Sequence, residues 1–308
     1  MPITSAHERP QPPTSADAFS DAVTLAFGDP AAEVYAVARV GLSVGADGSP
    51  HGSGLAIVFD GREPVAVRAA GGLPVPEAEF EAIDAAGVRV TTVTPLQEWT
   101  LTVEGEDGTV GLDLTFTAIS EPGEVAPGSP VAKVGGMEGY EQLCRVTGTA
   151  RVRGGTRKVD CLGQRGHSWG APDWDKIVLA RTVCAWADEE LSVAMTTVRG
   201  HKAKSHADEA VQTAVFALPR DAELAVAIDP DEARLSTVYD AEGRQRRAGL
   251  EIYEDSDGYP HRGAGEVLCG TSLDLGRLRL DCSFFRWRVD GHEGVGRYDI
   301  LRRVEAGA

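Results

Sequence analysis

Residues 140–162 read YEQLCRVTGTARVRGGTRKVDCL, and this stretch decides the fold class. Two strand-like runs, 140–151 and 156–162, flank the pair Gly154-Gly155. A glycine pair between two such runs is typical of a hairpin between antiparallel strands. The stretch therefore predicts a β-hairpin, and this hairpin leads directly into the segment that is richest in chemically active side chains.

Strand-like runs continue on both sides of this hairpin, and short turn signals separate them. Only two helices are predicted, a short one over 17–27 with Ser15 as N-cap and one over 76–86. Closely spaced strands with few helices predict an all-β fold made of two antiparallel sandwich or barrel domains. The clearest turn signals are Asp60-Gly61, Asp107-Gly108 and Asp290-Gly291.

The distribution of proline and glycine predicts the domain organisation. Residues 120–136 are rich in both and are predicted to be a linker. We therefore expect an N-terminal extension over 1–28, a first β domain over 29–130 and a second over 131–308. Residues 1–14 are rich in proline, serine and charge, which predicts disorder or a strap on the surface.

Composition restricts the classes of partner and site. The 308 residues include 30 basic and 47 acidic side chains, a formal net charge of −17, which argues against nucleic acid or an anionic membrane as a partner. No apolar run is long enough to span a bilayer and no secretory signal is visible, so we expect a cytoplasmic protein. The five cysteines form no C-x-x-C pair and are expected to be reduced core residues. We expect neither a metal nor a cofactor.

Residues 163–174, GQRGHSWGAPDW, hold most of the groups that can do chemistry. Their glycines and proline predict a shaped loop. In such a loop Arg165 could hold a carboxylate or a carbonyl oxygen, and His167 could transfer protons near neutral pH. Trp169 and Trp174 would supply apolar walls. The alternative is a corner that packs its tryptophans into the core and exposes its charges to water.

Three further residues complete the candidate site. Asp173, set against indole walls, would have a raised pKa and could act as a general acid. Asp175 follows closely in sequence, and Tyr140 could donate a hydrogen bond to the same pocket. Tyr140 could instead be an aromatic residue that packs at the start of a strand.

The run Gly163-Gln164-Arg165-Gly166-His167-Ser168-Trp169-Gly170, followed by Asp173-Trp174, resembles a known signature. The resemblance is to the hydroxyneurosporene synthase (carotenoid 1,2-hydratase) and AttH-like lipocalin superfamily, and it extends over residues 29–302. It implies two lipocalin-like β-barrels that meet at a hydrophobic pocket. It also implies hydration of isoprenoid double bonds or cofactor-free cycloaddition. His167 and Trp169 match the superfamily, whereas Gly166 stands where the hydratases commonly have an acid.

The sequence therefore predicts a protein that binds a hydrophobic, terpenoid- or polyketide-like molecule between two β domains. Acid–base chemistry without a cofactor would hydrate, dehydrate or cyclise that molecule. The alternatives are a non-catalytic carrier, which Gly166 favours, and a structural interaction protein whose pocket is closed by side chains. The predicted catalytic residues are His167 and Asp173, and the predicted binding residues are Arg165, Trp169, Trp174, Tyr140 and Asp175.

Overall fold

A computed structural model describes residues 2–13, 19–205 and 208–304. The contacts divide the chain into two compact units. The first unit comprises 1–124 and 137–172, and the second comprises 125–136 and 173–308. This division differs from the single boundary at residue 130 that the sequence predicts, because the contacts assign the long hairpin before residue 172 to the first unit.

The first unit contains one ten-stranded antiparallel sheet. Its strands run in the order β4-β3-β2-β1-β10-β9-β7-β6-β5, and the short β8 pairs with β9. The predicted hairpin is confirmed as β9 and β10, which are the longest strands of the unit and lie near the middle of its sheet. The strands are β1 (Ser20–Asp29), β2 (Val34–Val44), β3 (Pro50–Asp60), β4 (Glu63–Pro74), β5 (Val88–Thr94), β6 (Glu98–Glu104), β7 (Gly111–Ala118), β8 (Gly123–Val125), β9 (Met137–Val152) and β10 (Gly155–Gly170).

The second unit contains one nine-stranded antiparallel sheet in the order β14-β13-β12-β11-β19-β18-β17-β16-β15. In both units, four consecutive strands form a meander, and the last strand of a second meander pairs with the first strand of the unit. The all-β fold with two related domains is therefore confirmed. The strands are β11 (Ile177–Trp186), β12 (Leu191–Gly200), β13 (Ala210–Ala217), β14 (Val226–Ile228), β15 (Glu232–Tyr239), β16 (Gln245–Tyr253), β17 (His261–Leu275), β18 (Leu278–Val289) and β19 (His292–Arg303).

Each unit has its own hydrophobic core. In the first unit, alternate residues of β1, namely Val23, Leu25 and Phe27, face this core because side chains of a strand point alternately to its two faces. In the second unit, Trp287 and Phe285 are fully buried members of the corresponding cluster. The face of β1 that carries Val23, Leu25 and Phe27 is the core face referred to below.

The helix predicted over 17–27 is wrong. Residues 20–29 form β1, which pairs with β2 on one side and with β10 on the other along most of its length. Pairing on both sides and burial of one face outweigh the local preference for a helix. Ser15 and Asp17 lie outside the described residues.

The second predicted helix, over 76–86, is also wrong, since only a 3-10 turn, Phe80–Ala82, forms there. The α-helix of the described chain, α1 (Pro130–Gly135), lies instead in the predicted linker. Ser129 caps it, because its hydroxyl oxygen accepts a hydrogen bond from Ala132 N at 3.1 Å. None of the described helices is long and apolar enough to cross a membrane.

The loop predicted over 163–174 is wrong up to Gly170, because β10 continues to that residue. Glycines in β10 and in its partner β9 allow the backbones of neighbouring strands to pack closely and do not form a turn. A Cβ atom on Gly163 would lie 2.5 Å from the Ala26 carbonyl oxygen of β1, and one on Gly139 of β9 would lie 2.2 Å from the His167 carbonyl oxygen. Glycine in a strand interior often marks such a close approach of backbones.

Of the two alternatives predicted for the N-terminus, residues 2–13 fit the surface strap and not disorder, because all of them except Glu8 are exposed or half-buried. This segment contains a 3-10 turn, Ser5–Glu8, and Glu8 is only 6% exposed. We refer to residues 2–13 as the N-terminal segment.

Candidate functional site

Four of the predicted site residues lie together on the core face of the first unit. Arg165, His167 and Trp169 occupy alternate positions of β10, so their side chains point to the same face. Tyr140 is the direct partner of His167 on β9. The strand geometry alone therefore assembles an arginine, an imidazole, an indole and a phenol on one surface.

His167 is 1% exposed, and protein groups bind both of its ring nitrogens. Nδ1 lies 2.7 Å from the backbone carbonyl oxygen of His7, and Nε2 lies 2.6 Å from Oδ1 of Asp21. A carbonyl oxygen can only accept, so Nδ1 carries a hydrogen. The hydrogen bond between Nε2 and the Asp21 carboxyl group requires one further hydrogen, on one of these two atoms. His167 and Asp21 thus form a buried proton-holding pair.

Asp21 comes from β1, where it shares the core face with Val23. It is fully buried, and its second oxygen accepts a hydrogen bond from Gln11 N at 2.7 Å. Both oxygens of this carboxylate are therefore satisfied, as a buried charge requires. Through Gln11, the N-terminal segment binds the same pair that orients the imidazole.

Aromatic rings surround the imidazole. The ring centroids of Phe80, Tyr140 and Trp169 lie 5.3, 5.8 and 5.0 Å from that of His167, all in edge-to-face arrangements. The His7 ring stacks on Trp169 at 6.0 Å. Such packing excludes water and strengthens the electrostatic interactions of the pair.

Glu8 makes a second buried charge cluster beside this pair. Its carboxylate accepts from Arg165 Nη2 at 2.7 Å, from the Tyr140 hydroxyl at 3.0 Å and from Trp99 Nε1 at 3.2 Å. The backbone N–H of Leu96 donates to it as well, at 3.1 Å. Three strands of the sheet and one turn thus supply four hydrogen-bond donors to one carboxylate, which comes from the N-terminal segment.

Arg165 is held between two aromatic rings. Its guanidinium carbon lies 5.0 Å from the Trp99 ring centroid and 4.9 Å from that of Tyr140, within the range of cation–π attraction. Its Nε and Nη1 atoms are buried and have no hydrogen-bond partner in the described residues. Burial raises the pKa of Tyr140 well above its usual range, so the phenol remains a donor to Glu8 at neutral pH.

The other three predicted residues belong to the second unit. Asp173 is exposed and pairs with Lys176 at 2.7 Å, and this hydrogen bond lowers its pKa, which is opposite to what a general acid needs. Trp174 packs against the apolar cluster of Val131, Ile177 and Val198. Asp175 is exposed and forms ion pairs with Arg277 and Arg303.

Sequence reasoning missed Asp21 and Glu8. A signal for Asp21 exists, because it continues the core-face alternation of Val23, Leu25 and Phe27 as an acid in an apolar pattern. Nothing in the sequence around Glu8 indicates burial, since its partner Arg165 lies more than a hundred residues away along the chain. The pairing depends entirely on tertiary structure.

Gly166, where the hydratases commonly have an acid, points to the opposite face of β10 from His167. The carboxylate of Glu141 from β9 occupies the space beside it, and a Cβ atom on Gly166 would lie 2.3 Å from Glu141 Oε2. Gln164 Nε2 donates to this carboxylate at 2.6 Å. An acid at position 166 would therefore meet Glu141, not the imidazole.

A comparable buried cluster lies in the core of the second unit. Arg181 of β11 forms an ion pair with Glu209, which also accepts a hydrogen bond from Arg199 Nε at 2.8 Å. Arg181 reaches the hydroxyl of Thr237 at 3.2 Å, and that hydroxyl is 2.6 Å from the hydroxyl of Tyr298. Across the described residues, no group of three or more His, Cys, Asp and Glu side chains is arranged to hold a metal ion.

Solved structures share this fold. An AttH-like protein from Nitrosomonas europaea has a TM-score of 0.64 at 13% identity, covering 93% of both chains. Kievitone hydratase from Nectria haematococca has a TM-score of 0.61 at 11% identity, covering 98% of this chain and 93% of its own. CghA has a TM-score of 0.61 at 11% identity, covering 94% and 90%. At these identities the likeness shows the fold alone.

The sequence comparisons place the chain in a family. No curated protein sequence matches it significantly. The profile of a family described as "Domain of unknown function (DUF7064)" matches residues 4–304, which is nearly the whole chain. The chain therefore belongs to the DUF7064 family, with an AttH-like, lipocalin-like fold.

Proposed function

We propose that this protein binds an apolar small molecule in the first unit and catalyses cofactor-free acid–base chemistry on it, with His167 and Asp21 as the proton-holding pair. The observation that carries the proposal is the 2.6 Å contact between His167 Nε2 and Asp21 Oδ1 inside a shell of aromatic rings. A histidine oriented by a buried carboxylate is suited to general acid–base catalysis. In this proposal Asp21 has the proton-transfer role that was predicted for Asp173.

In this proposal the two ring nitrogens of His167 have different roles. Asp21 holds the ring through Nε2, and a substrate oxygen would replace the His7 carbonyl oxygen at Nδ1. In a dehydration, the Nδ1 proton would go to a substrate hydroxyl, the carbon–oxygen bond would break, and water would leave. The neutral ring would then take a proton from the neighbouring carbon as the double bond forms, which restores its starting state.

Hydration is the reverse of this sequence, with water as the second reactant. This chemistry accords with the resemblance to hydroxyneurosporene synthase, and kievitone hydratase has the same fold at 11% identity. A cyclisation would use the same proton on a carbonyl oxygen. The preferred substrates are terpenoid- or polyketide-like, because aromatic walls stabilise apolar carbon skeletons.

A non-catalytic carrier is the second candidate function. The observation that favours it is that His7 and Asp21 already occupy both nitrogens of His167, so the imidazole has no vacant position in this state. A carrier needs the aromatic surface of the first unit but no proton transfer. The two functions therefore differ in whether the bound molecule changes.

Native mass spectrometry of the freshly purified protein, with solvent extraction of any adduct, tests the proposal. The extracted molecule and close analogues are then incubated with the wild-type protein, His167→Gln, Asp21→Asn and the exposed control Asp173→Asn. We expect the wild type and the control to change the ligand by one water or to isomerise it. The two site variants should bind the ligand without changing it.

A ligand that the wild type binds but leaves unchanged would establish the carrier instead. Loss of folding in His167→Gln would indicate a structural histidine, and Asp21→Asn, which keeps the size of the side chain, then decides the question. Turnover by both site variants at the wild-type rate would refute the proposed pair.

A further inference from the structure

The N-terminal segment fills the site with groups that look like parts of a ligand. We propose that Glu8 and the His7 carbonyl are stand-ins for the substrate, and that the natural ligand is an apolar carboxylic acid with an oxygen function farther along its chain. The inference rests on the proposed function, because it assigns a substrate class to the same site.

The sheet and its turns supply a complete binding site for a carboxylate. Arg165, Tyr140, Trp99 and the Leu96 N–H all donate to the Glu8 carboxylate, and all four belong to the sheet or its turns. Charge-assisted hydrogen bonds of this kind are the strong ones in proteins. A carboxylate from any other molecule would find the same four donors, so the site does not require glutamate.

Arg165 has hydrogen-bond donors that Glu8 does not use. This side chain is 1% exposed, yet Nε and Nη1 have no hydrogen-bond partner among the described residues. Glu8 binds only Nη2 of the guanidinium. A free carboxylate is not restrained by a peptide backbone and can adopt the two-pronged geometry that arginine favours. The site therefore suits an untethered carboxylate better than it suits Glu8.

The contacts of Glu8, His7 and Gln11 hold the N-terminal segment, which has no backbone pairing with a strand of the sheet. Its only regular structure is the turn Ser5–Glu8, and it adds no strand to the sheet of the first unit. Apart from the bonds of Glu8, the segment contacts the site through the His7 carbonyl, the His7 ring and Gln11 N. A ligand that takes the four hydrogen bonds of Glu8 therefore removes most of the hydrogen bonds that hold the segment on the site.

The covalent geometry of the segment also specifies the spacing within the ligand. The His7 carbonyl carbon and the Glu8 carboxyl carbon are separated by about five covalent bonds, and the carbonyl oxygen accepts from Nδ1 of His167. A substrate that binds both points would carry a hydroxyl or carbonyl oxygen at a similar distance from its carboxylate. The apolar remainder would lie against Phe80 and Trp169, which flank the imidazole.

Chemical rescue of the full-length Glu8→Ala variant tests this inference. Binding of octanoate, octanamide and octanol is measured by isothermal titration and by thermal shift. We expect octanoate to raise the melting temperature of Glu8→Ala and to bind it at least about tenfold more tightly than the wild type, because Glu8 no longer competes. Octanamide and octanol should bind at least about tenfold more weakly than octanoate.

Two controls separate a specific site from general fatty-acid binding. The double variant Glu8→Ala/Arg165→Met should lose the preference for octanoate over octanamide. Glu106→Ala, which removes a surface partner of Arg68, should show no rescue. An octanoate analogue with a ketone about five bonds from the carboxyl carbon should bind more tightly than octanoate, and His167→Gln should remove this gain.

If Glu8→Ala does not fold, hydrogen exchange of the wild-type chain gives the same answer. Octanoate, but not octanamide, should then speed exchange of the amides in residues 5–9. Equal binding of octanoate and octanamide, or no faster exchange, would overturn the inference. Carboxylate binding without turnover would refute only the proposed catalysis, whereas turnover of a neutral ligand without carboxylate binding would refute only the substrate class.

Discussion

The two units use the same strand order but build their buried arginine clusters differently. In the second unit Arg181 pairs with Glu209, which directly precedes β13 and is thereby fixed to the sheet. In the first unit Arg165 pairs with Glu8, which belongs to a segment that joins no strand. Both glutamates pair with a buried guanidinium, but only Glu209 directly adjoins a strand of its sheet.

The positions of the two clusters support the same distinction. Arg165 lies on the last strand of its unit, and Arg181 lies on the first strand of the other. The clusters are therefore not copies that the shared fold requires. We interpret the Arg181 cluster as structural, and the Arg165 cluster as a binding site that the chain itself occupies.

Replacing each glutamate by alanine should give the largest effect on stability and tests directly whether the two clusters differ. Glu209→Ala leaves Arg181 buried without its charge partner, and breaking such a pair typically costs about 3–5 kcal/mol. Glu8→Ala should cost clearly less, because the N-terminal segment can withdraw and allow water to reach Arg165. Urea unfolding of both variants measures the difference, and equal costs would contradict the comparison.

The charge of Glu209 should also make the stability of the second unit depend on pH. Burial alone would raise the pKa of Glu209, but Arg181 and Arg199 outweigh burial and lower it. A carboxyl group whose pKa is lower in the folded than in the unfolded state stabilises the fold at every pH above its unfolded pKa, about 4.3 for Glu. This contribution to stability is lost as the pH falls through the folded pKa. The melting temperatures of the wild type and Glu209→Gln should therefore converge in acid, and a constant gap between pH 7 and acid would contradict this.

Asp21→Asn tests the contribution of the His167–Asp21 pair to stability, and we expect an effect of intermediate size. The substitution keeps the shape of the side chain but removes the charge that holds His167 Nε2, so we expect a loss of about 1.5–3 kcal/mol. The exposed control Asp173→Asn should leave the free energy of unfolding close to that of the wild type, because surface substitutions of this kind have small effects. Chemical denaturation measures both, and a larger loss for the control would place the important carboxylate in the second unit.

The smallest expected effect concerns Gly166, and it sharpens the assignment of the acid. Gly166→Asp and Gly166→Asn both need space that the Glu141 carboxylate occupies, but only Asp adds a like charge there. We expect Asp to cost about 0.5–1 kcal/mol more than Asn. The NMR signals of the His167 ring should be unchanged in both, since position 166 points to the opposite face. A shifted His167 signal in Gly166→Asp alone would show that an acid there reaches the imidazole.

Much of the fold follows from local patterns in the sequence. The glycine pair at 154–155 and the turn at Asp290-Gly291 join strands as predicted. The two predicted helices are wrong. At 17–27 the local preference for a helix is outweighed because β1 pairs with strands on both sides and buries one face. The loop predicted over 163–174 fails because its glycines serve close strand packing, which a single sequence does not distinguish from a turn.

The candidate site was predictable only where strand geometry brings near neighbours together. Arg165, His167 and Trp169 share a face because they alternate on β10, and Tyr140 joins them through the hairpin register. Asp21 and Glu8 come from distant parts of the chain, and only the folded structure places them at His167 and Arg165. The proposed acid therefore shifts from Asp173 to Asp21, whose burial the alternation along β1 indicates but whose pairing with His167 it does not.

Incorporation of solvent deuterium into the bound ligand most directly tests the central claim, that His167 and Asp21 transfer protons to a substrate. The extracted ligand is incubated in D2O with the wild type, Asp21→Asn and Asp173→Asn, and deuterium at carbon is followed by mass spectrometry. We predict incorporation by the wild type and Asp173→Asn, and a rate at least about a hundredfold lower for Asp21→Asn. Wild-type incorporation by Asp21→Asn would contradict the claim.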